Sequence, residues 1–381
     1  MNGVGPPPAA PSALTRVYLF AGGGTGGHIF PGLAIAEQLA ELDRSSRCVF
    51  LCSDRPLDSE ILRREGVPFA VIPAKPLSLR PAALARFVWS WGGAVRAARA
   101  AIRDARRGGA SVVVIAMGGF VSAPAVRAAS AERVPVTLVN LDALPGMANR
   151  WIARRADRVF TSASVTGRDW TAVPPIVRRA ARTAMTPGEC RRSFGLQPDW
   201  PTLLVTGASQ GAASINGLLH FLVSNHPEAF RGWQVIHQTG PGGEDVMDAA
   251  YERARVPAAV HAFIDAMGPA WGSAELAVSR SGAGSVAEAW ANAIPTVFMP
   301  YPYHRDEHQR VNARPLEEAG AAVVARDLIE PAANAGAAGA AILRLMGDAA
   351  RRAAMRAAFA SLDPADGAER IARALAAKHP V

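Results

Sequence analysis

The sequence predicts an α/β protein built from two doubly wound parallel sheets, and three observations carry that prediction. The chain has 381 residues, half of them apolar and 19% charged, which suits two domains of ordinary size and excludes a disordered chain. Short apolar runs alternate with stretches of helical spacing, the pattern of strands covered on both faces by crossover helices. Glycine-rich turns at residues 22–27, 207–211 and 282–284 each join such a run to a helical stretch, at the strand ends where sheets of this kind bind ligands.

Taken in order, the first series of predicted strands covers 16–21, 47–52, 111–117, 134–140 and 157–162. The second covers 201–207, 233–239, 258–264, 275–279, 294–300 and 321–325. Between the series lies Val173-Pro174-Pro175, where two prolines forbid a continued helix or a central strand. This places a domain boundary there: a loose tail over 1–14, a first domain over 15–175 and a second over 176–381. The chain after Pro331 is rich in alanine and arginine with helical spacing, broken at Asp363-Pro364, and its last helices are free to pack back on the first domain. Two such domains facing across a cleft suit a pair of substrates, one held by each.

Composition narrows the class of function. Lysine plus arginine exceeds aspartate plus glutamate by nine, and the only lysines are Lys75 and Lys378. Nucleic acid, an anionic membrane or a phosphorylated substrate all fit that balance. Cys48, Cys52 and Cys190 form no paired motif, which suits a reduced compartment and argues against a structural zinc site. The first residues lack the basic and apolar regions of a signal peptide, and no apolar run reaches the length of a membrane span.

The glycine turns admit competing chemistries. Gly22, Gly24 and Gly27 fit the dinucleotide fingerprint, with Asp54 as a late candidate for its ribose-binding acid. Pro31 is expected near the first turn of the following helix. His28 ends the loop and is the candidate base for a substrate hydroxyl, against a plain helix-end histidine. Gly207-Ala208-Ser209-Gln210-Gly211 matches a nucleophile elbow, with Asp306 and His308 downstream, but equally forms an anion cradle without a nucleophile. Ser285 and Glu288 have capping-box spacing, while a carboxylate near a helix start also suits a ribose diol. His304 to His308 formally fits an inverted zinc-protease motif, although Pro302 and the preceding strand leave no long helix to carry it. The polar run containing His308, Gln309 and Asn312 reads better as hydrogen-bonding groups aimed into a cleft.

Order and spacing resolve these alternatives. Gly-Gly-Thr-Gly-Gly-His28-Ile-x-Pro31 with Leu33 to Leu39, Met117-Gly118-Gly119-Phe120-Val121-Ser122-x-Pro124 and Gly146-x-x-Asn149 resemble the N-terminal motifs of the MurG family. Ser209-Gln210-Gly211-Ala212, His237-Gln238-x-Gly240, Phe263-Ile264-Asp265-x-Met267, Arg280 to Glu288 and His308-Gln309-x-x-Asn312-Ala313 resemble its C-terminal ones. Members of that family move N-acetylglucosamine from UDP-N-acetylglucosamine to undecaprenyl-diphospho-muramoyl-pentapeptide, in peptidoglycan synthesis. The resemblance implies a GT-B fold, an N-terminal acceptor domain, a C-terminal UDP-sugar domain, inversion at the anomeric carbon, and work at the cytoplasmic face of the plasma membrane. It also implies site roles. Ile264 would present backbone to uracil, Glu288 would hold the ribose, and Arg178 and Ser209 would lie at the UDP moiety. Ala283, Gly284, Ser285, Val286, Ala287 and Glu288 with Gln309 would line the donor pocket, and Thr25, Gly26 and Gly27 would approach the sugar. Asn149, Gln210 and His308 would be further substrate-binding residues.

No Asp-x-Asp motif calls for a divalent ion, since helix N-termini and Arg178 can meet the leaving diphosphate's charge. One departure from the family pattern matters. The family's donor-contacting asparagine falls on Asp142, which exchanges an amide for a carboxylate without N–H donors. A related transferase with another lipid acceptor is therefore the nearest alternative, and a serine hydrolase using Ser209 the alternative from a different class.

The charge excess is itself localised. Residues 75–107 carry eight basic side chains against one acid, Asp104, interleaved with Leu77, Leu79, Leu84, Phe87, Val88, Trp89 and Trp91. That mixture suits a segment lying on an anionic bilayer, against an ordinary amphipathic helix with a solvated arginine face. It leaves little support for nucleic acid.

Overall fold

The computed structural model describes residues 16–24, 26–77, 80–163, 165, 167–207, 211–303 and 308–377. Its first sheet contains β1 (Arg16–Ala21), β2 (Ser46–Cys52), β3 (Phe69–Val71), β4 (Ser111–Ala116), β5 (Val136–Asn140), β6 (Arg158–Thr161) and β7 (Thr171–Ala172). Its second contains β8 (Thr202–Thr206), β9 (Gln234–Gln238), β10 (Ala258–His261), β11 (Leu276–Ser279), β12 (Thr296–Phe298) and β13 (Ala322–Val324). Every predicted run contains a strand. Only β3 and β7 were not foreseen; three and two residues are too few to show a period.

Strand order explains where function sits. The sheets run β3-β2-β1-β4-β5-β6-β7 and β10-β9-β8-β11-β12-β13, so the chain reverses direction across the sheet between β1 and β4 and again between β8 and β11. Crevices for ligands open at the carboxyl ends of strands at such switch points. β1 and β4 pair in parallel from Arg16↔Ser111 to Ala21↔Ala116, so the turn after Ala21 and the turn after Ala116 leave the sheet side by side. β8 and β11 end together in the same way, with Thr206 opposite Ser279.

Both faces of each sheet are covered, as parallel strands require. On β1, Val17, Leu19 and Ala21 join one core with Val112, Val114 and Leu138. On its other face Phe20 stacks on Phe50 with ring centroids 5.1 Å apart. A Cβ added to Gly32 in the helix Gly26–Leu42 would meet Phe50 at 3.1 Å, so a small residue lets that helix lie close on the sheet. The helix begins at Gly26, which puts Pro31 in the second turn rather than the first. Gly26, Gly27 and His28 therefore form the first turn, whose N–H groups have no intrahelical partner. In the second sheet Leu203, Val205, Val235 and Val278 pack with Tyr251 on one face, and Leu204, Ile236 and Phe298 with Trp271 on the other.

Two compact units result: residues 1–140, 145–160 and 369–381, and residues 141–144 with 161–368. The double proline thus lies inside the second unit rather than at its edge. There the N–H of Gly367 donates to the carbonyl of Pro175 at 3.2 Å, and a Cβ on Gly367 would collide with the carbonyl of Pro174. The prolines end an extended stretch that already belongs to the second unit.

Candidate active site

In the first unit the two neighbouring turns bring glycine backbone up to His28. Gly118 and Gly119 follow β4 with φ of 98° and 75°, backbone that favours glycine. A Cβ on Gly119 would stand 3.3 Å from Cε1 and Nδ1 of His28, and one on Gly118 would stand 3.3 Å from its Cδ2. The imidazole therefore lies against this bare backbone. Asn149 closes the group: its Oδ1 would be 3.0 Å from a Cβ on Gly118, and its Nδ2 donates to Oδ1 of Asn140 at 2.9 Å. The fold thus brings together His28, Gly118, Gly119 and Asn149 from three motifs that lie far apart in sequence.

The dinucleotide reading of this loop fails on charge. The N–H of Gly24 donates to Oδ2 of buried Asp58 at 2.7 Å, and the same oxygen fills the space a Cβ on Gly23 would need. A pyrophosphate there would meet a carboxylate where the fingerprint calls for an open amide. Asp54 does not serve as the ribose acid either; it pairs with Lys75 on the surface.

In the second unit the helix Ala283–Asn292 starts at the switch point, with Gly282 as its N-cap residue. A Cβ at Gly282 or Gly284 would meet nothing within 4 Å, so the space beside the helix start is open. Ser281 is fully buried, and its Oγ has no hydrogen-bond partner among the described residues. Open space, a helix start and an unused buried hydroxyl suit an anionic, hydroxyl-bearing ligand. Ser285 stands inside the helix, so the capping box with Glu288 is not made. Instead, Oε2 of Glu288 accepts from Nε1 of Trp271 at 2.9 Å. Burial pushes the Glu288 carboxyl up to about 7, only partly offset by that hydrogen bond.

The neighbouring segments are fixed to this helix. Nδ2 of Asn292 donates to the carbonyls of Ala181 and Glu288, each at 2.9 Å, which anchors the chain just after Arg178. Ile264 donates its N–H to Oε1 of Gln238 at 3.1 Å. Gly207 and Gly211 are confined to glycine by backbone 2.2 Å and 2.1 Å from their would-be Cβ atoms, at Ala212 N and Thr239 O respectively. Buried His237 contacts Tyr251 Oη at 2.9 Å and Asn216 Oδ1 at 3.1 Å, and Asn216 donates to that Thr239 carbonyl. Burial pushes the His237 imidazole down to about 3, so it acts as a neutral framework residue.

Asp142 lies in the second unit with Asn312. Its Oδ1 accepts from Asn312 Nδ2, while Asn312 Oδ1 accepts from the N–H of Ala143, both at 3.1 Å. The carboxylate thus turns the Asn312 amide to one orientation. Oε1 of Gln309 accepts from the N–H of Tyr301 at 2.9 Å, tying the helix His308–Glu318 to the turn after β12.

Sequence reasoning missed the group that holds these turns together. Arg280, buried at the end of β11, donates to Asp327 Oδ2 at 2.7 Å, Ser214 Oγ at 2.8 Å and the carbonyl of Met299 at 2.9 Å. Burial pushes the Asp327 carboxyl up, but hydrogen bonds from Ser214, Asn334 and Arg280 together hold it below the usual value. Its stabilisation is present above the ordinary carboxylate pKa and is lost as pH falls through the lowered one. Asp327→Ala strands a buried guanidinium and is expected to cost about 3–5 kcal/mol of stability, measurable by chemical denaturation.

Thr25, Ser209, Gln210 and residues 304–307 lie outside the described residues, as does the side chain of His308. The elbow, the anion cradle and the inverted zinc motif are accordingly not described at their centres.

Two parallel doubly wound sheets, one with a histidine-bearing glycine loop at its switch point and one with an open helix start and a carboxylate, define a glycosyltransferase of the GT-B class. The glycosyltransferase family 28 N-terminal domain matches residues 18–161, and the family 28 C-terminal domain matches residues 202–371. A UDP-N-acetylglucosamine–N-acetylmuramyl-(pentapeptide) pyrophosphoryl-undecaprenol N-acetylglucosamine transferase from Nocardioides sp. is 38% identical, over 93% of this chain and 96% of its own. A protein of the same name from Geobacter sulfurreducens is 33% identical over the same shares. The crystal structure of Acinetobacter baumannii MurG superposes with a TM-score of 0.70 at 22% identity, covering 94% of this chain and 99% of that one. The chain belongs to glycosyltransferase family 28 and, within it, to the MurG family of N-acetylglucosaminyltransferases.

Proposed function

We propose that the protein transfers N-acetylglucosamine from UDP-N-acetylglucosamine to a muramoyl-pentapeptide carried on a polyprenyl diphosphate. The observation that supports this reading best is that the family's motifs are the ones gathered at the two switch points. In the reaction, His28 takes the proton of the acceptor hydroxyl as its oxygen bonds to the anomeric carbon. The bond from that carbon to UDP breaks, and the sugar is inverted. Glu288 accepts hydrogen bonds from the ribose, the Ile264 carbonyl reads the uracil, and Arg178 with the start of helix Ala283–Asn292 meets the charge on the departing diphosphate. No divalent ion is required by this set of groups. Incubation with radiolabelled UDP-N-acetylglucosamine and membrane lipid extract should label a lipid-linked disaccharide; labelling of a different lipid would assign the enzyme to another acceptor.

We place the enzyme peripherally on the anionic cytoplasmic face of the plasma membrane, through the first half of helix Pro81–Ala105. Among the described residues no helix is long and apolar enough to cross a membrane. Ala94, Ala98 and Ile102 bury the second half, and Arg99 and Arg103 there are both paired with Glu132. The first half exposes Leu84, Val88 and Trp89, the last at 89%, beside Arg80 and Arg86. Apolar anchors flanked by cations suit an anionic interface. Arg80→Glu with Arg86→Glu should abolish sedimentation with anionic vesicles; unchanged sedimentation would return the segment to a solvated helix face.

A further inference from the structure

The N–H and the carbonyl of Gly24 are each held by a residue that no motif contains. The N–H points inward to Asp58 Oδ2, which also accepts from the N–H of Ser53 at 3.1 Å and from its Oγ at 2.5 Å. Asp58 is fully buried, and its second oxygen, Oδ1, has no hydrogen-bond partner among the described residues. The carbonyl of Gly24, in the next peptide group, accepts from Nη1 of Arg55. The Arg55 guanidinium lies over the ring of Phe120, 5.4 Å from its centroid, and that ring occupies the space a Cβ on Gly24 would need. Phe120 directly follows Gly118 and Gly119, the backbone against which His28 rests. One set of contacts therefore links the turn after β1 to the turn after β4.

A buried carboxylate with one oxygen unused is a costly way to fasten a loop. What it secures is direction: the Gly24 N–H faces the buried Asp58 carboxylate, immediately before the turn that carries His28. We propose that Asp58 and Arg55 are positioning residues for glycosyl transfer, which fix the two successive peptide groups that meet at Gly24 and so set where His28 stands. The proposal rests on the reading of His28 as the base that serves the acceptor hydroxyl. Misplacement of a reacting group by 1 Å can cost about 100-fold in rate. The uridine-binding groups lie elsewhere in the sequence, so the loss should fall on kcat rather than on the donor KM.

The test compares Asp58→Asn, Arg55→Ala and Arg55→Lys with His28→Ala, measuring kcat, donor KM, Tm and hydrogen exchange of the peptide spanning residues 20–30. Asp58→Asn should lower kcat roughly tenfold or more with donor KM within about twofold, and should speed exchange at Gly24. Arg55 is exposed, so Arg55→Ala should fold normally and show a smaller loss of the same kind, part of it recovered in Arg55→Lys. The proposal is overturned if kcat stays within about twofold in both Asp58→Asn and Arg55→Ala, or if donor KM rises in step with the loss. Unchanged exchange at Gly24 in Asp58→Asn also overturns it. Should Asp58→Asn not fold, the two Arg55 variants decide. Normal turnover of His28→Ala would instead remove the reading of His28 on which the proposal rests.

Discussion

His28→Ala should lower kcat by roughly two to four orders of magnitude while leaving the donor KM within about threefold. The asymmetry follows from the position of the histidine. It stands in the first turn of a first-unit helix, against Gly118 and Gly119, whereas Glu288, Trp271, Ile264 and the open helix start belong to the second unit. In the proposed mechanism, removing the imidazole takes away a group used when the acceptor proton moves, not one that recognises uridine. Steady-state kinetics with saturating lipid acceptor separates the two parameters. A donor KM that rose as steeply as kcat fell would make His28 a donor-binding group.

Glu288→Ala is expected to raise the donor KM by about 10–100-fold with a smaller change in kcat, because hydrogen bonds to an ionised group contribute about 1.5–3 kcal/mol each. The same carboxyl predicts a pH dependence. Burial raises it to about 7 in the ligand-free protein, so the folded state holds this proton more tightly than the unfolded chain does. Its cost to stability therefore develops as pH rises from the ordinary carboxylate range to about 7, and is complete above that. Ribose hydroxyls favour the ionised form, so donor binding releases the proton, and the donor KM should climb as pH falls below about 7. Glu288→Gln should show a raised but flat donor KM across that range. A wild-type donor KM independent of pH would mean that the carboxyl does not meet the ribose.

The sheets were legible because parallel strands buried on both faces leave continuous apolar runs, and the turns because glycine at a strand end has few other uses. Expectation and structure part where a residue's meaning depends on partners remote in sequence. Ser285 and Glu288 have the spacing of a capping box, but the helix starts two residues before Ser285, and Trp271 is the partner that Glu288 takes. Arg280 sits inside a recognisable motif, yet its acid is Asp327, 47 positions away. Asp58 lies in an unremarkable helical stretch and carries no local signal. Charge misleads in the same way: Glu132 lies outside the basic segment 75–107 and neutralises part of it. Asp142 was visible as a departure from the family, but only the fold shows that it orients Asn312.

The last helix has a consequence for how the chain is made. Residues from Glu369 onward belong to the first unit, where Ile371 and Ala372 are fully buried. Arg16 Nη1 and Tyr18 Oη both donate to the carbonyl of Leu375, and Arg158 Nη1 donates to that of Ala374. The first described strand, β1, is thus tied to the last described helix. As the ribosome releases the chain from its N-terminus, the first unit emerges early but stays unfinished until the whole second unit has been synthesised. The contacts of β1 and β6 with this helix can therefore form only after the residues of the second unit have been made.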